Sequence, residues 1–329
     1  MQFKKNQMKL LKFKNLMDLC ETFRTEADCV RYFIDIHFGG KIECPYKDCD
    51  SKFYASSVSK VYAFKDGKTF KCSCCKKRFS ARVGTIFEDS NIPLRKWFMA
   101  TYLITSHKKG ISSVQLGKDI GVTQKSAWFM LHRLRHASKT KAFEFEGTVE
   151  ADETFVGGKY ENMHADKKAT EPQKSIVLGM LNRETKQVKS VVVESTEYHN
   201  LGAEILDTVK MGANLITDGH AGYEALGMYY KHNSVNHSAK EYVRIEEVIK
   251  EDDSRESVKI HTNTVEGFWG LVKKTINGTY HWVSKKHLQK YLGECDFRYN
   301  TKEFETESAR FDCFLQNRSS KLSYKTLIA

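Results

Sequence analysis

The chain has 329 residues, of which 40% are apolar and 29% are charged. This length and composition predict a soluble, folded protein with two or three domains. Lysine and arginine exceed aspartate and glutamate by 53 to 41, so the net charge is +12. A basic balance of this size favours a polyanionic partner such as nucleic acid.

The sequence carries no sign of secretion or of membrane insertion. Residues 1–14 contain lysines throughout and have neither an uninterrupted apolar region nor a small-residue cleavage site. No segment offers the ~18 uncharged apolar residues that a membrane span needs. We therefore expect an intracellular protein with no membrane partner, whose nine cysteines bind metal or stay free rather than form disulfides.

Residues 1–39 are predicted to be a helical segment. Their apolar residues recur at mixed helical spacing, which favours one or two short helices. Thr25 is a suitable N-cap for the second helix, since Glu26 and Asp28 place acids in its first turn.

Two cysteine clusters in residues 40–90 predict a zinc ribbon. Strand-like segments separate the clusters, and two cysteine knuckles on adjacent hairpins bring four thiolates together, as structural zinc requires. Four cysteine ligands would leave no position for substrate, so the single Zn²⁺ would be structural. Unligated thiols in a small β module remain the alternative. The predicted ligands are Cys44, Cys49, Cys72 and Cys75, with Cys74 as a spare that could replace Cys72 or Cys75.

Residues 79–87 are predicted to close the ribbon with a further strand, and residues 91–145 to form a helix-turn-helix-like region. One helix begins at Pro93, and the others cover residues 112–120 and 124–137, separated by Gly121 and capped by Thr123. In such a motif the last helix enters the major groove of DNA. A plain three-helix bundle is the alternative. The side chains predicted to be exposed on the last helix are Gln124, Lys125, His132, Arg133 and Arg135, of which Lys125, Arg133 and Arg135 are candidate DNA contacts.

Residues 147–158 predict a strand that carries an acidic residue at its centre. The segment is bounded by glycines, and strand alternation places Asp152 on the same side as Glu150 and opposite Glu153. A carboxylate within a strand is costly to bury unless it is paired or holds a metal. Asp152 is therefore a candidate ligand, although an edge strand with a solvated polar face fits the same pattern.

A second acid follows a later strand. Residues 175–181 and 187–193 predict a strand pair, residues 199–211 a helix, and residues 214–220 an apolar strand that reaches Asp218. An acid at the end of a central strand is a recurrent position for a metal ligand. Asp218 could instead cap the following helix.

A third acid lies on a predicted amphipathic helix over residues 260–274. At 100° per residue, Glu266 and Lys273 share one face, whereas Val265, Phe268 and Val272 lie on the other. A carboxylate and an ammonium two turns apart on one face of a helix can both reach the same site. An ordinary solvated face is the alternative.

Several motifs in order resemble the IS1595-family transposases with an ISXO2-like catalytic domain, over roughly residues 40–302. In the cysteine region, the first knuckle has four residues between Cys44 and Cys49, where the family usually has two. The segments that carry the resemblance are residues 44–75, 79–80, 84–87, 92–98, 152–154, 157–159, 217–219, 261–269, 278–281, 286–292 and 297–300.

The resemblance implies a DDE transposase with an RNase H-like core, a mixed five-stranded sheet with helices, over residues 146–302, followed by a tail over residues 303–329. Such an enzyme cleaves the ends of an insertion sequence and joins the 3′-hydroxyl to target DNA. It would use two Mg²⁺ or Mn²⁺ ions, to which hard carboxylate oxygens are suited. The resemblance assigns Asp152, Asp218 and Glu266 to the metal-binding triad and Lys273 to the cut phosphate, with Asn263 and His261 as supporting residues.

Residues 273–300 combine basic and aromatic side chains, which suits DNA held at a cut end. Lys274 and Lys286 are candidate phosphate contacts. Tyr280, Trp282, Tyr291 and Tyr299 are candidates for stacking on bases, or else core residues. By family analogy we expect a homodimer or larger assembly on DNA. A DNA-binding regulator with a vestigial catalytic domain, or a nuclease without strand transfer, are the alternative functions.

Overall fold

The computed structural model describes residues 13–46, 48–49, 60–138, 144–157, 174–236, 239–249, 255–317 and 321–328. Gly158 and Lys159, which belong to the resemblance motif, lie outside these ranges. The chain forms two compact units. One comprises Met1–Ser138 with Glu303–Ala329, and the other comprises Lys139–Lys302.

The first unit begins with the helices α1 (Leu16–Thr22) and α2 (Glu26–Phe38). Thr25 and Asp28 form a capping box at the start of α2, in which each side chain accepts the other's backbone N–H. The left-handed Gly39, with φ of 67°, ends the helix. The prediction of Thr25 as the N-cap is confirmed.

A small antiparallel sheet follows, made of β1 (Val61–Ala63), β2 (Thr69–Cys72) and β3 (Arg78–Ser80). The prediction of a strand that continues through residue 87 is wrong, because the chain turns directly after β3. The Arg82 guanidinium donates to the carbonyls of Ser90 and Ile92, both at 3.0 Å, and so holds the turns closed.

Three helices complete the N-terminal part of this unit: α3 (Leu94–Ser106), α4 (Ser113–Ile120) and α5 (Gln124–Ala137). The Thr123 hydroxyl accepts the Ser126 N–H at 3.2 Å and caps α5. Gly121, at φ of 62°, makes the turn between α4 and α5. The three helices are arranged in sequence as predicted.

The second unit contains a five-stranded sheet whose strand order is β6-β5-β4-β7-β8. The strands β4, β5 and β6 are antiparallel neighbours, whereas β4, β7 and β8 run parallel. This confirms the predicted mixed five-stranded sheet. The strands are β4 (Thr148–Val156), β5 (Ser175–Asn182), β6 (Val188–Val193), β7 (Asn214–Asp218) and β8 (Lys231–Val235).

Helices cover both faces of this sheet. The helix α6 (Tyr198–Thr208) and a 3₁₀ helix (Ala221–Met228) enclose a core around Val149 and Ala151. On the other face, α7 (Asn263–Thr275), a π-helical turn (Ile276–Tyr280) and α8 (Lys285–Asn300) carry Val265, Phe268 and Trp269 into a second core. An apolar core therefore lies on each side of the sheet.

A two-stranded hairpin precedes α7 and was not predicted. It consists of β9 (Arg244–Ile249) and β10 (Arg255–Ile260). Residues 244–260 are rich in charged residues. They lack the regular alternation of apolar and polar residues by which a half-buried strand is recognised.

The C-terminal residues of the chain return to the first unit. They form α9 (Glu307–Leu315) and α10 (Tyr324–Ile328). Phe311 and Phe314 are buried, and α9 packs on α3 and α2. Among the described helices, none combines the length and apolarity that a membrane crossing requires.

Candidate active site

The strand β4 directs two carboxylates towards α7. Alternation places Val149 and Ala151 in the core on the α6 side, so Glu150 and Asp152 face the opposite way. Asp152 lies across from Gly179 of β5 and is partly buried. Its position within a strand of the central sheet is as predicted.

Asp218 is the last residue of β7, which runs parallel to β4. The pairing of β4 with β7 begins with Thr148 opposite Asn214 and ends with Glu150 opposite Ile216. Beyond this pairing, carboxylate oxygens of Asp152, Glu153 and Asp218 lie within 4.8 Å of one another. The two acids predicted from separate strands are therefore brought together, and Glu153 joins them.

Glu153 was not predicted because strand alternation assigns it to the face opposite Asp152. The Tyr223 hydroxyl donates a hydrogen bond to Glu153 Oε2 from the 3₁₀ helix. Two adjacent acids in the middle of a strand were the available signal in the sequence. Asp218 Oδ1 in turn accepts the backbone N–H of His220 at 3.1 Å.

Glu266 lies in the first turn of α7 and is exposed. It does not belong to the group of three carboxylates, but it is near enough for its charge to raise the pKa of Asp152. The Thr262 hydroxyl donates to Glu266 Oε1 at 3.1 Å. The structure thus places the third predicted acid beside the site rather than at its centre.

The pKa of Asp152 is raised to about 7, first by burial and then by the charges of Glu153 and Asp218. The Trp269 indole N–H opposes this shift by donating to Asp152 Oδ2 at 2.9 Å. Several close carboxylates repel one another unless protons or cations neutralise them. The site is therefore suited to hard divalent cations such as Mg²⁺ or Mn²⁺.

Residues 144–300, which include all of these acids, match the family model of the ISXO2-like transposase domain. This part of the chain is an ISXO2-like transposase domain. An uncharacterized protein in transposable element ISH50 of Halobacterium salinarum is 24% identical over 284 residues, covering 83% of this chain and 90% of the relative. An uncharacterized transposase-like protein of Haemophilus influenzae is 25% identical over 122 residues, covering 37% of this chain and 87% of that relative.

Trp269 occupies a space of the transposase domain that only a glycine leaves open. A Cβ atom on Gly179 would lie 2.4 Å from Trp269 Cζ2, well inside a normal contact. Gly179 is also the β5 partner of Asp152. The same glycine therefore lets the indole lie over the strand and reach the carboxylate.

The remaining predicted site residues lie on or just before α7. Lys273 and Lys274 are exposed on the helix, and Asn263 is exposed at its first position. His261 is partly buried, with Nδ1 3.5 Å from Glu150 Oε1 rather than beside Glu266. Burial, followed by the charge of Arg183, lowers the pKa of His261.

The aromatic residues of the α7–α8 region fall into two groups. The Tyr280 hydroxyl donates to Glu294, and its ring packs edge-on against the buried Tyr291. Tyr299 packs against Phe268 in the core. Trp282, by contrast, is 71% exposed in the turn before α8, where Lys286 is also exposed.

The four predicted zinc ligands in the first unit converge. Sγ atoms of all four lie within 4.8 Å of one another, whereas Cys74 is exposed and outside the group. Burial raises the pKa of the Cys44 thiol to about 12 in the absence of a cation. Four mutually close cysteines are the donor set of a structural zinc site. The converging ligands are Cys44, Cys49, Cys72 and Cys75.

The predicted DNA-contact face of α5 requires a correction. Lys125 is exposed, with its ammonium 5.8 Å from the Tyr324 ring centre. Arg133 and Arg135, together with His132, are buried, so the prediction that they are exposed is wrong. Arg133 donates to the carbonyls of Ile86, Glu88 and Leu322, because loops and the C-terminal segment of the same unit pack over this part of α5.

Proposed function

We propose that this protein is a DDE transposase that binds the terminal repeats of an insertion sequence, cleaves the element ends and joins the 3′-hydroxyl to target DNA. The observation that supports this most is the meeting of Asp152 and Glu153 of β4 with Asp218 at the end of the parallel strand β7. The charge of Glu266 on α7 also reaches Asp152 and helps to raise its pKa. The position of these acids within an ISXO2-like transposase domain argues for polynucleotide phosphoryl transfer.

In this proposal Asp152, Asp218 and Glu266 hold two Mg²⁺ or Mn²⁺ ions. Bound there, the ions would activate the attacking oxygen and stabilise the leaving oxygen. The carboxylates must be deprotonated to do this, so the raised pKa of Asp152 makes metal compete with a proton at this residue. The exposed Lys273, on the same helix as Glu266, provides a positive charge for the cut phosphate.

We further propose that the first unit holds a structural metal ion and contacts DNA. A zinc ribbon over residues 40–90 would hold one structural Zn²⁺ on its four cysteines, and the helices of residues 91–145 would contact DNA through Lys125. In the transposase domain, Lys274 and Lys286 would contact phosphates. A protein that acts on DNA in this way would be intracellular, and two bound ends would require a dimer or larger assembly.

Two alternative functions, a DNA-binding regulator and a nuclease, can be distinguished from a transposase by experiment. A DNA-binding regulator with a vestigial site would bind the ends without cutting them, and a nuclease would cut without joining. The close group of acids argues against the regulator, because like charges at this distance are costly to keep without a cation.

The test uses labelled DNA from both flanks of the gene, with Mg²⁺ or Mn²⁺ and an unlabelled target plasmid. We compare the native chain with Asp152→Asn and Glu266→Gln, and with Asp207→Asn as a matched control. Asp207 is exposed on α6 and loses only a surface ion pair with Lys189 when neutralised.

Metal-dependent nicking and joining by the native chain and the control, lost in both site variants while DNA binding persists, would establish the transposase. Nicking without joined product would identify a nuclease. Specific binding without cleavage in either metal would identify the regulator and overturn the proposal.

A further inference from the structure

Glu150 is a fully buried carboxylate that the proposed chemistry does not use. It lies on β4, two residues before Asp152 and on the same face of the strand. Burying a carboxylate is costly unless its charge and its lone pairs are satisfied. Its partners therefore indicate what the residue does.

The first set of partners lies at the start of α7. Glu150 Oε2 accepts the backbone N–H groups of Thr264 and Val265, both at 3.0 Å, and Oε1 accepts the Thr264 hydroxyl at 2.8 Å. These N–H groups have no partner within the helix, and a capping side chain normally takes them. The N-cap residue Thr262 makes no such bond. Glu150 thus caps α7 from a different element.

Arg183, in the turn after β5, is the second partner. Its Nε donates to Glu150 Oε1 at 2.7 Å, and its two terminal nitrogens donate to the carbonyls of Lys259 and His261 at 2.6 and 2.7 Å. One guanidinium therefore joins the carboxylate to the end of β10 and to the segment that enters α7. Only the planar fork of an arginine reaches three acceptors in this way.

These contacts connect two of the proposed metal ligands by a short path. Asp152 follows Glu150 by two residues on β4, and Glu266 follows Val265 directly on α7. The helix is otherwise held to the sheet by the hydrogen bond from Trp269 to Asp152 and by apolar packing. Packing resists separation but fixes axial position less sharply than hydrogen bonds do. The negative charge of Glu150 also interacts favourably with the positive N-terminal end of the α7 dipole.

We propose that Glu150 and Arg183 are positioning residues that set the location of Glu266 relative to Asp152 for divalent metal. This inference rests on the proposed function. A metal site requires its ligands to be held closely to the productive geometry, and residues that orient ligands strongly affect metal affinity. Glu150 and Arg183 touch neither metal nor DNA in this role.

The test compares Glu150→Gln and Arg183→Lys with the native chain and with Glu184→Gln. Glu184 is an exposed neighbour whose carboxylate accepts the Thr148 N–H, so it holds the same strand but does not contact α7. Binding of Mn²⁺ is measured by electron paramagnetic resonance in the full chain without DNA. Thermal unfolding, amide exchange at Val265 and the Mg²⁺ dependence of end cleavage are measured on the same samples.

We expect both variants to raise the Mn²⁺ dissociation constant about tenfold and to raise the Mg²⁺ concentration for half-maximal cleavage by a similar factor. The Val265 amide should exchange faster, and the Glu184→Gln control should match the native chain in all three measurements. Arg183→Lys keeps a cation beside the buried carboxylate. If Glu150→Gln does not fold, the Arg183→Lys variant therefore still tests the positioning role.

A folded Arg183→Lys variant with native Mn²⁺ affinity and native metal dependence of cleavage would overturn the inference, even if its unfolding temperature fell. Failure of the proposed function is a separate result, because it would be seen in the native chain as an absence of both Mn²⁺ binding and cleavage.

Discussion

The indole of Trp269 donates its N–H to Asp152 Oδ2 at 2.9 Å while its ring covers the backbone of Gly179. A donor to a carboxylate stabilises the charged form and lowers its pKa. Trp269→Phe keeps the packing but removes the donor, so the pKa of Asp152 should rise further above about 7. The pH dependence of Mn²⁺ binding should therefore move to higher pH, with weaker binding near neutrality and recovery in alkali.

Gly179→Ala tests the same relationship without removing the indole. The added Cβ would meet Trp269 Cζ2 at 2.4 Å, so the ring must move away from Asp152. Gly270→Ala is the control, since a Cβ at that position of α7 meets nothing within 4 Å. Identical pH curves of Mn²⁺ binding for the native chain, Trp269→Phe and Gly179→Ala would contradict the role assigned to Trp269.

Although their roles as metal ligands stay predictions, the positions of the two strand acids and the helix acid could be predicted because each follows from a local pattern: Asp152 and Asp218 from strands, and Glu266 from the polar face of a helix. Glu153 and Glu150 could not, because their roles depend on which elements lie against β4. Arg133 shows the same limit, since the periodicity of α5 identifies one buried face but not the loops that cover its other side. The positioning of side chains by distant backbone is a tertiary property.

Asp152→Asn should stabilise the metal-free protein. The pKa of Asp152 is raised from 3.8 to about 7, so between these values the unfolded chain releases a proton that the folded chain retains, and stability falls as pH rises. Asparagine removes this penalty. Thermal unfolding at about pH 8 should show a higher midpoint for the variant without metal and a loss of the midpoint increase that Mg²⁺ gives the native chain. A native-like response of Asp152→Asn to Mg²⁺ would contradict its role as a ligand.

The cysteine group predicts a folding dependence on zinc. Cys49→Ser removes a buried member of the group, whereas Cys74→Ser removes an exposed cysteine outside it. We expect one bound zinc per chain in the native protein and in Cys74→Ser, and less than one in Cys49→Ser, by elemental analysis. A structural zinc contributes directly to folding, so a strong chelator should unfold the ribbon. Equal zinc content in both variants would contradict the ligand assignment.

Asp296 of α8 provides a second pH prediction, for a carboxyl that does not belong to the acids of the site. It is buried and accepts the backbone N–H and the hydroxyl of Ser190 on the edge strand β6. Burial raises its pKa to about 7. The pKa of this carboxyl is higher in the folded than in the unfolded chain. Its contribution therefore lowers the free energy of unfolding progressively as pH rises from about 4 to about 7, and the loss is complete above that.

Asp296→Asn should therefore flatten the pH dependence of stability. An amide oxygen can still accept the Ser190 N–H, and the hydroxyl can reverse to accept from the amide. In urea unfolding we expect the variant's free energy of unfolding to exceed the native value by up to about 4 kcal/mol at about pH 8, with little difference at about pH 4. A gain of the same size at both pH values would show that the carboxyl does not titrate as described.

Trp282 is the aromatic residue of the α7–α8 region that remains available for DNA. It is 71% exposed and follows His281, a non-glycine residue at φ of 61°, and the π-helical turn. Strained turns and π-helical segments are frequent at functional sites, and stacking of a base on an aromatic ring contributes about 1–3 kcal/mol. On the proposed function, Trp282 stacks on an unpaired base at the element end.

Trp282→Ala should weaken binding to end DNA with a single-stranded overhang about tenfold or more, with little change for blunt duplex or for the unfolding temperature. Trp282→Phe retains a stacking surface and should recover most of the affinity. Met228→Ala is the control, because Met228 is also exposed, at 76%, but offers no ring. Equal affinity of native and Trp282→Ala protein for the overhang DNA would show that Trp282 does not contact the DNA. Equal losses of affinity for overhang and blunt DNA would indicate a general loss of structure instead of a loss of stacking.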